Sequence, residues 1–434
     1  MCVGFFCENK ILSQKNTKFG FTSVITTLVN NFFSFTFLNF KMKKFIYFCF
    51  MLFKDILGQE HIKKHLTTSV DNGRIPHAQL FVGPEGSGTL PLAIAYAQYI
   101  LCNNVSDENT SGNEACNLKF KNISHPDLHF AFPVTTTDKA KSHPVSSHYM
   151  EEWRKLLNEQ PYGNLFDWYK LLGVDNKQGQ IGVDEAHDIV KSLALKSYEG
   201  GYKVMVIWMA EKMNTACANK LLKLIEEPPS KTVFILIAED EEQIINTIRS
   251  RCQVLHFPPL AEDVIKQALI KNYSLELTVA TKIAHQANGN YNKACDLVYQ
   301  DSEDLQFETW FIFWIRSAFK AKGNKNAIHD LIYWSEDISK TGRETQKQFL
   351  HFCLDFFRQA LLLNYNAESL VYLEPKTEKF KLENFAPFIH GNNIMDISNE
   401  IHDAIYHIER NGNSKIILTD LSIKLTRLLH KKTE

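Results

Sequence analysis

The chain has 434 residues, 44% apolar and 22% charged, with a formal net charge of −1. That is ordinary globular material, long enough for two or three domains. Residues 1–50 hold six Lys and one Glu, a net +5, which leaves −6 on residues 51–434. A mildly acidic body argues against a protein that grips DNA strongly on its own, because phosphate contact needs clustered Lys and Arg, and leaves room for a minor contact within an assembly.

The first fifty residues differ in kind from the rest. They carry 12 of the 31 Phe and 3 of the 9 Cys, with no helical or alternating period. Phe32–Leu38 and Phe45–Phe50 are short and interrupted by Asn and Lys, which argues against a bilayer span. Neither a basic start nor a small-residue cleavage site marks a signal peptide. We read 1–50 as an upstream extension ahead of a possible initiator, Met51; a membrane anchor and a disordered tail are the alternatives.

From Met51 to residue 257, short apolar strands alternate with helical stretches, which predicts a parallel sheet covered by helices. Gln79–Val82 reads as a strand, and Pro91–Leu101 as a helix. Between them lies Gly83-Pro-Glu-Gly-Ser-Gly-Thr-Leu90. A working phosphate loop reads G-x-x-x-x-G-K-[ST], with backbone N–H groups around the phosphates, Lys on the β/γ oxygens and a hydroxyl on Mg²⁺. Gly83, Gly86 and Gly88 keep the scaffold, but Thr89 stands for the lysine and Leu90 for the hydroxyl. We therefore expect a vestigial loop and no bound cofactor.

Cys102 and Cys116 flank a polar loop and form no C-x₂₋₄-C pair of the kind zinc favours. His125 is a possible third ligand, but His125-Pro-Asp127 has a reading without metal, and no metal is expected. Cys217, Cys252, Cys295 and Cys353 lie in apolar or helical settings that suit a reducing cytoplasm. Residues 133–180 read as a local elaboration with aromatic helical stretches near Trp153–Leu157 and Phe166–Leu172. The core rhythm resumes at Gln180–Glu185.

Lys203–Trp208 and Thr232–Ile237 read as buried strands. The first runs into Trp208-Met209-Ala210-Glu211, where an ATPase needs carboxylates to hold Mg²⁺. The second runs into Ala238, where a polar side chain senses the γ-phosphate. Asn292, in Gly289-Asn-Tyr-Asn-Lys293, occupies a place where a sensor arginine is expected. Four losses in one site argue against hydrolysis. Pro258-Pro259 marks a hinge; 260–300 reads as about three short helices, and everything beyond 303 as helix.

Ser250-Arg251-Cys252 remains intact. On composition alone, Arg249 and Arg251 are solvated helix-end charges; an arginine supplied to a neighbour's ATP is the other reading. Phe53–Gln59, Arg74–Phe81, His125–Asp127, Ala210–Pro229 and Ile248–Cys252 together resemble the delta-prime family of bacterial clamp-loader subunits, within the AAA+ superfamily. Asn219–Lys223 and Glu226-Glu-Pro-Pro229 are specific to such subunits.

The resemblance implies an α/β fold with an AAA+-type P-loop parallel sheet, then a helical lid and an all-α C-terminal collar. The expected segments are an extension (1–50), an AAA+-like domain (51–258), a lid (259–302) and a collar (303–434). It implies a cytoplasmic, non-hydrolysing subunit of DNA polymerase III, in a hetero-oligomeric ring with motor and delta-type subunits. The ring would load a sliding clamp on primed DNA, and Arg251, flanked by Ser250 and Cys252, would reach a neighbour's ATP. Many relatives hold a structural zinc on four cysteines; two of those are missing here. An active motor ATPase with an atypical loop and a membrane-tethered regulator are the rival readings.

Overall fold

The structure is a computed structural model that describes residues 52–432, apart from 103–113, 175–176, 200, 300–301, 374 and 378–379. Residues 1–50, read above as an extension, lie outside the described residues. No helix among those described is long and apolar enough to cross a membrane.

Five strands form one parallel sheet in the order β2-β3-β4-β1-β5. They are β1 (Ala78–Val82), β2 (Leu128–Ala131), β3 (Lys203–Trp208), β4 (Thr232–Ala238) and β5 (Gln253–His256). β1, β3 and β4 are buried along their whole length. That is why they read as unbroken apolar runs: a parallel sheet covered on both faces has no polar side to alternate with. β5 lies at an edge and keeps a mixed, half-exposed sequence. One sheet face packs around Phe81, Ile94, Val206 and Ile235, the other around Leu80, Ile189, Leu221 and Leu236.

The covering helices are α1 (Glu60–Asp71), α2 (Thr89–Leu101), α3 (Glu114–Lys121), α4 (Met150–Glu159), α5 (Leu165–Leu172), α6 (Val183–Ala194), α7 (Thr215–Glu226) and the single turn α8 (Asn246–Arg249). Asn214 starts α7 by accepting from Cys217 N–H at 2.8 Å. Asn164 and Asp167 start α5 reciprocally, each side chain accepting from the other's N–H at 2.9 and 3.0 Å. Such caps satisfy N–H groups that have no partner within a helix.

α4 and α5 form the elaboration over 133–180, and aromatic packing holds them to the sheet. Phe132 stacks on Trp153 with centroids 4.2 Å apart, and Trp168 meets both rings edge-on at 5.0 and 5.5 Å. The Trp168 indole N–H donates to Pro133 O at 2.8 Å. The segment between these helices carries Tyr162 to the glycine loop.

Three helices follow, α9 (Glu262–Tyr273), α10 (Leu277–Ala287) and α11 (Tyr291–Tyr299), with a small core around Ile265, Leu269 and Ala284. The remaining helices are α12 (Ser302–Lys320), α13 (Lys325–Ser339), α14 (Arg343–Asn364), α15 (Leu382–Phe385), α16 (Gly391–Glu409) and α17 (Ser414–Leu428). Their core is aromatic: the Trp314 and Trp334 rings stack 4.8 Å apart, and Phe349, Phe356 and Phe357 fill the space beside them. Ion pairs tie this region back: Lys212 to Glu409 at 2.6 Å, and Lys293 to Asp355.

Trp168→Ala should lower the unfolding free energy by about 3–5 kcal/mol, the usual cost of emptying a buried aromatic site. Urea unfolding followed by circular dichroism measures it; a loss below about 1 kcal/mol would contradict this packing.

Glu185 generates a pH prediction. It is 1% exposed and accepts from Ser146 N–H at 2.6 Å. Burial outweighs that bond and pushes its carboxyl from 4.5 up to about 7. A raised carboxylate pKa favours the fold below the unfolded value and loses that contribution as pH rises through the folded one. Stability should therefore fall between about pH 4.5 and 7. Glu185→Gln should flatten that slope in urea midpoints measured across the range; an unchanged slope contradicts the assignment.

Candidate functional site: a plugged glycine loop and an exposed arginine

The loop after β1 has the backbone of a phosphate cradle. Gly86 and Gly88 adopt φ of 69° and 91°, conformations that side chains rarely tolerate. α2 then starts at Thr89, with Leu90 buried at its first turn. The space over the cradle is filled by the protein itself. Tyr162 lies against Gly88, so that a Cβ there would stand 3.1 Å from the ring, and its hydroxyl accepts from Leu57 N–H at 2.8 Å.

The start of α11 descends on the same loop. Tyr291 N–H donates to Gly86 O at 3.3 Å, and a Cβ on Gly86 would collide with the Asn290 amide at 2.0 Å. Glu85 accepts from Asn164 and Asn290 side-chain N–H groups at 2.9 and 3.1 Å. Beside them, Asn292 donates to Asp167 at 2.9 Å. The cavity remaining beside Gly83–Pro91, Tyr162, Trp208 and Met209 measures about 30 Å³. A small-molecule pocket is typically about 300–1,000 Å³, and one water needs roughly 10–15 Å³. That space holds water and not a nucleotide; a wider opening of about 650 Å³ adjoins it beside Glu85, Met209, Glu239 and Lys293.

Trp208 and Met209 line the cavity at the end of β3, and Glu85 and Glu239 complete its rim. Glu211 follows Met209, and desolvation raises its carboxyl above the ordinary range. Asp167 is raised for the same reason. Both carboxyls are short of solvent, which disfavours their charged form, with Lys212 near Glu211 and Lys170 near Asp167.

Ser250, Arg251 and Cys252 lie between α8 and β5, at the opposite end of the sheet. Gln79 pairs with Gln253 and Val82 with His256. At about 3.3 Å per residue, Arg251 is therefore roughly 15–20 Å from the glycine loop. It cannot serve that loop. Its guanidinium is exposed: one Nη donates to Thr247 O at 2.7 Å, and the other is ion-paired with Glu226 at the end of α7. Ser250 Oγ donates to Thr247 O at 3.3 Å. Cys252 is half-buried against the core, and burial pushes its thiol up to about 11. Ser250 and Cys252 thus shape and anchor the turn, and Arg251 lies folded over it, partly open to solvent.

A second cluster gathers Cys116, His125 and Glu199, whose donor atoms lie within 4.8 Å of one another. It does not fit a metal. Cys116 is bonded to Cys102 as a disulfide, a pairing that the spacing alone did not reveal. His125 Nδ1 accepts from Asp127 N–H at 3.2 Å, which places the ring proton on Nε2, facing Glu199 at 3.4 Å. A ligating histidine needs that nitrogen bare and the other protonated. Cys217, Cys252, Cys295 and Cys353 are free thiols.

A five-stranded parallel sheet in this order, with a glycine loop after β1, between β4 and β5, and helices following, defines an AAA+-type P-loop fold. Comparisons with known proteins then specify the relationship. Residues 58–261 match the family described as "DNA polymerase III, delta subunit". The chain is 27% identical over 243 residues to the delta-prime subunit of DNA polymerase III from Bacillus subtilis, covering 56% of this chain and 60% of that one. It is 25% identical to the tau subunit of the same organism, over 76% of this chain and 53% of that one. The Escherichia coli delta-prime subunit is 27% identical over 45% of this chain and 47% of its own.

The chain is thus similar to delta-prime and tau subunits of DNA polymerase III, and it spans about half the length of the curated relatives it matches. A solved gamma-subunit-related protein from Thermotoga maritima aligns over 85% of this chain at 14% identity. Its TM-score is 0.34, too loose a superposition to bear on function.

Among the residues that close the loop, the sequence marked only its glycines and Asn292. Tyr162 and Asn290 carried no signal: they reach the loop from 74 and 202 residues away in the chain by the positions of the segments that hold them. The loop's state yields a prediction. The purified chain should show no measurable affinity for a fluorescent ATP analogue in the presence of Mg²⁺, and Thr89→Lys alone should not create any. Micromolar binding by either protein contradicts the occlusion.

Proposed function

We propose that this chain is a non-hydrolysing, delta-prime-like subunit of a DNA polymerase III clamp loader. It would assemble with motor and delta-type subunits into a ring that loads a sliding clamp on primed DNA. Its chemical contribution would be Arg251, presented to ATP bound by a neighbour. The observation that carries this reading is the pairing of a plugged glycine loop with an exposed arginine at the far end of the same sheet. A subunit that cannot hold a nucleotide gains nothing from that arginine itself; a neighbour does.

The mechanism asks little of the fold beyond position. As phosphate transfers, negative charge develops on its oxygens, and a guanidinium placed in trans stabilises it. The planar fork donates two parallel N–H bonds, which a lysine ammonium cannot reproduce. The helices from α12 to α17 suit an association role, because Phe313, Tyr333, Met395 and Ile416 remain exposed on them. The motor reading, prompted by the tau relative, lacks support at the loop: Thr89, Leu90, Trp208 and Met209 supply neither phosphate nor Mg²⁺ ligands.

Arg251→Ala should leave the fold intact, since the side chain is exposed, and the ring should still assemble. DNA- and clamp-stimulated ATPase of the reconstituted complex should fall. An arginine finger contributes about 10³–10⁵ at one site, but other sites in the ring dilute the loss. Arg251→Lys should resemble Arg251→Ala. Unchanged rates in a correctly assembled ring would contradict the role.

A further inference from the structure

Arg251 is not extended in this structure. Its guanidinium folds back over its own turn, with one Nη donating to Thr247 O at 2.7 Å and the other paired with the Glu226 carboxylate. Thr247 is four residues upstream on α8, so the side chain lies along its own backbone and does not project from it. Glu226 is the last residue of α7. The negative end of the helix dipole opposes an anion at that place, so helix formation does not explain a carboxylate there. Facing Arg251, it has a partner. Arg251 and Glu226 are 37% and 41% exposed, open enough for an incoming anion to compete.

From this arrangement we propose that Glu226 is a positioning residue that holds Arg251 retracted, and that the phosphate of a neighbour's nucleotide displaces it. The inference rests on the trans role of Arg251 proposed above. The exchange is one ion pair for another: the guanidinium leaves a single carboxylate for the more highly charged polyphosphate and stays protonated throughout. The unassembled subunit thereby keeps its arginine neutralised. The fraction of extended side chain then scales how readily the neighbouring site is completed.

The test is single-turnover ATP hydrolysis by the reconstituted complex, so that product release does not mask the step. Glu226→Gln removes the competing charge at the same size. It should raise the rate at sub-saturating ATP by about two- to fivefold at low salt, the range an exposed ion pair sets. The gain should vanish near molar salt, where exposed pairs are screened. Glu226→Asp, which keeps the charge, should behave as wild type. Glu226→Gln combined with Arg251→Ala should match Arg251→Ala alone, because Glu226 acts only through that arginine.

A Glu226→Gln rate equal to or below wild type at low salt overturns the inference, and so does a gain that persists at high salt or without Arg251. If Arg251→Ala itself changes nothing, it is the trans role that fails. If Arg251→Ala slows hydrolysis and Glu226→Gln does not speed it, retraction alone fails.

Discussion

The docking of the α11 start onto the glycine loop is the contact on which the rest of this account depends. Glu85, at the tip of the loop, accepts from Asn164 on one side and Asn290 on the other. Gly86 meets Asn290 so closely that no side chain could stand there. Phosphate would ordinarily sit among these groups and join the loop to the helices beyond it. Here a carboxylate and two amides make that connection within the chain. Each bond is modest, about 0.5–1.5 kcal/mol net, but they act together with the Tyr162–Tyr291 ring contact at 5.0 Å.

The filled loop limits what the sheet can do. Its C-terminal edge, where ligands bind in open parallel sheets, is occupied by the protein's own side chains. Its N-terminal edge, beside β5, presents Arg251. The sheet is therefore a rigid spacer between the filled loop and the Arg251–Glu226 pair. Lys212–Glu409 and Lys293–Asp355 extend that rigidity to the C-terminal helices. These pairs are partly exposed and contribute little individually, so their value lies in fixing orientation.

Much of this was legible in the sequence because it depends on local pattern. The runs at 79–82, 203–208 and 232–237 are apolar throughout, as strands buried on both faces must be. The spacing of Gly83 and Gly88 is what the turn needs, whatever stands at positions 89 and 90. β2 and β5 were not legible: four residues at a sheet edge, one of them a histidine in each case, do not stand out from loop. Plugging was not legible either. The replacements at Thr89 and Leu90 removed the residue types of a working phosphate loop, but Tyr162 and Asn290 arrive through tertiary packing that no short-range pattern encodes. The Cys102–Cys116 disulfide escaped for the same reason, since a pairing depends on where two backbones meet.

The most direct test is a structure of the assembled ring with a non-hydrolysable ATP analogue and Mg²⁺. Nucleotide should be found in the motor subunits and none over Gly83–Leu90 of this chain, with Tyr162 still against Gly88. The Arg251 guanidinium should lie within about 3 Å of a neighbour's terminal phosphate, the range of a charge-assisted hydrogen bond. Density for a nucleotide over the glycine loop, or an Arg251 that points to solvent while the neighbouring site is filled, would contradict the account.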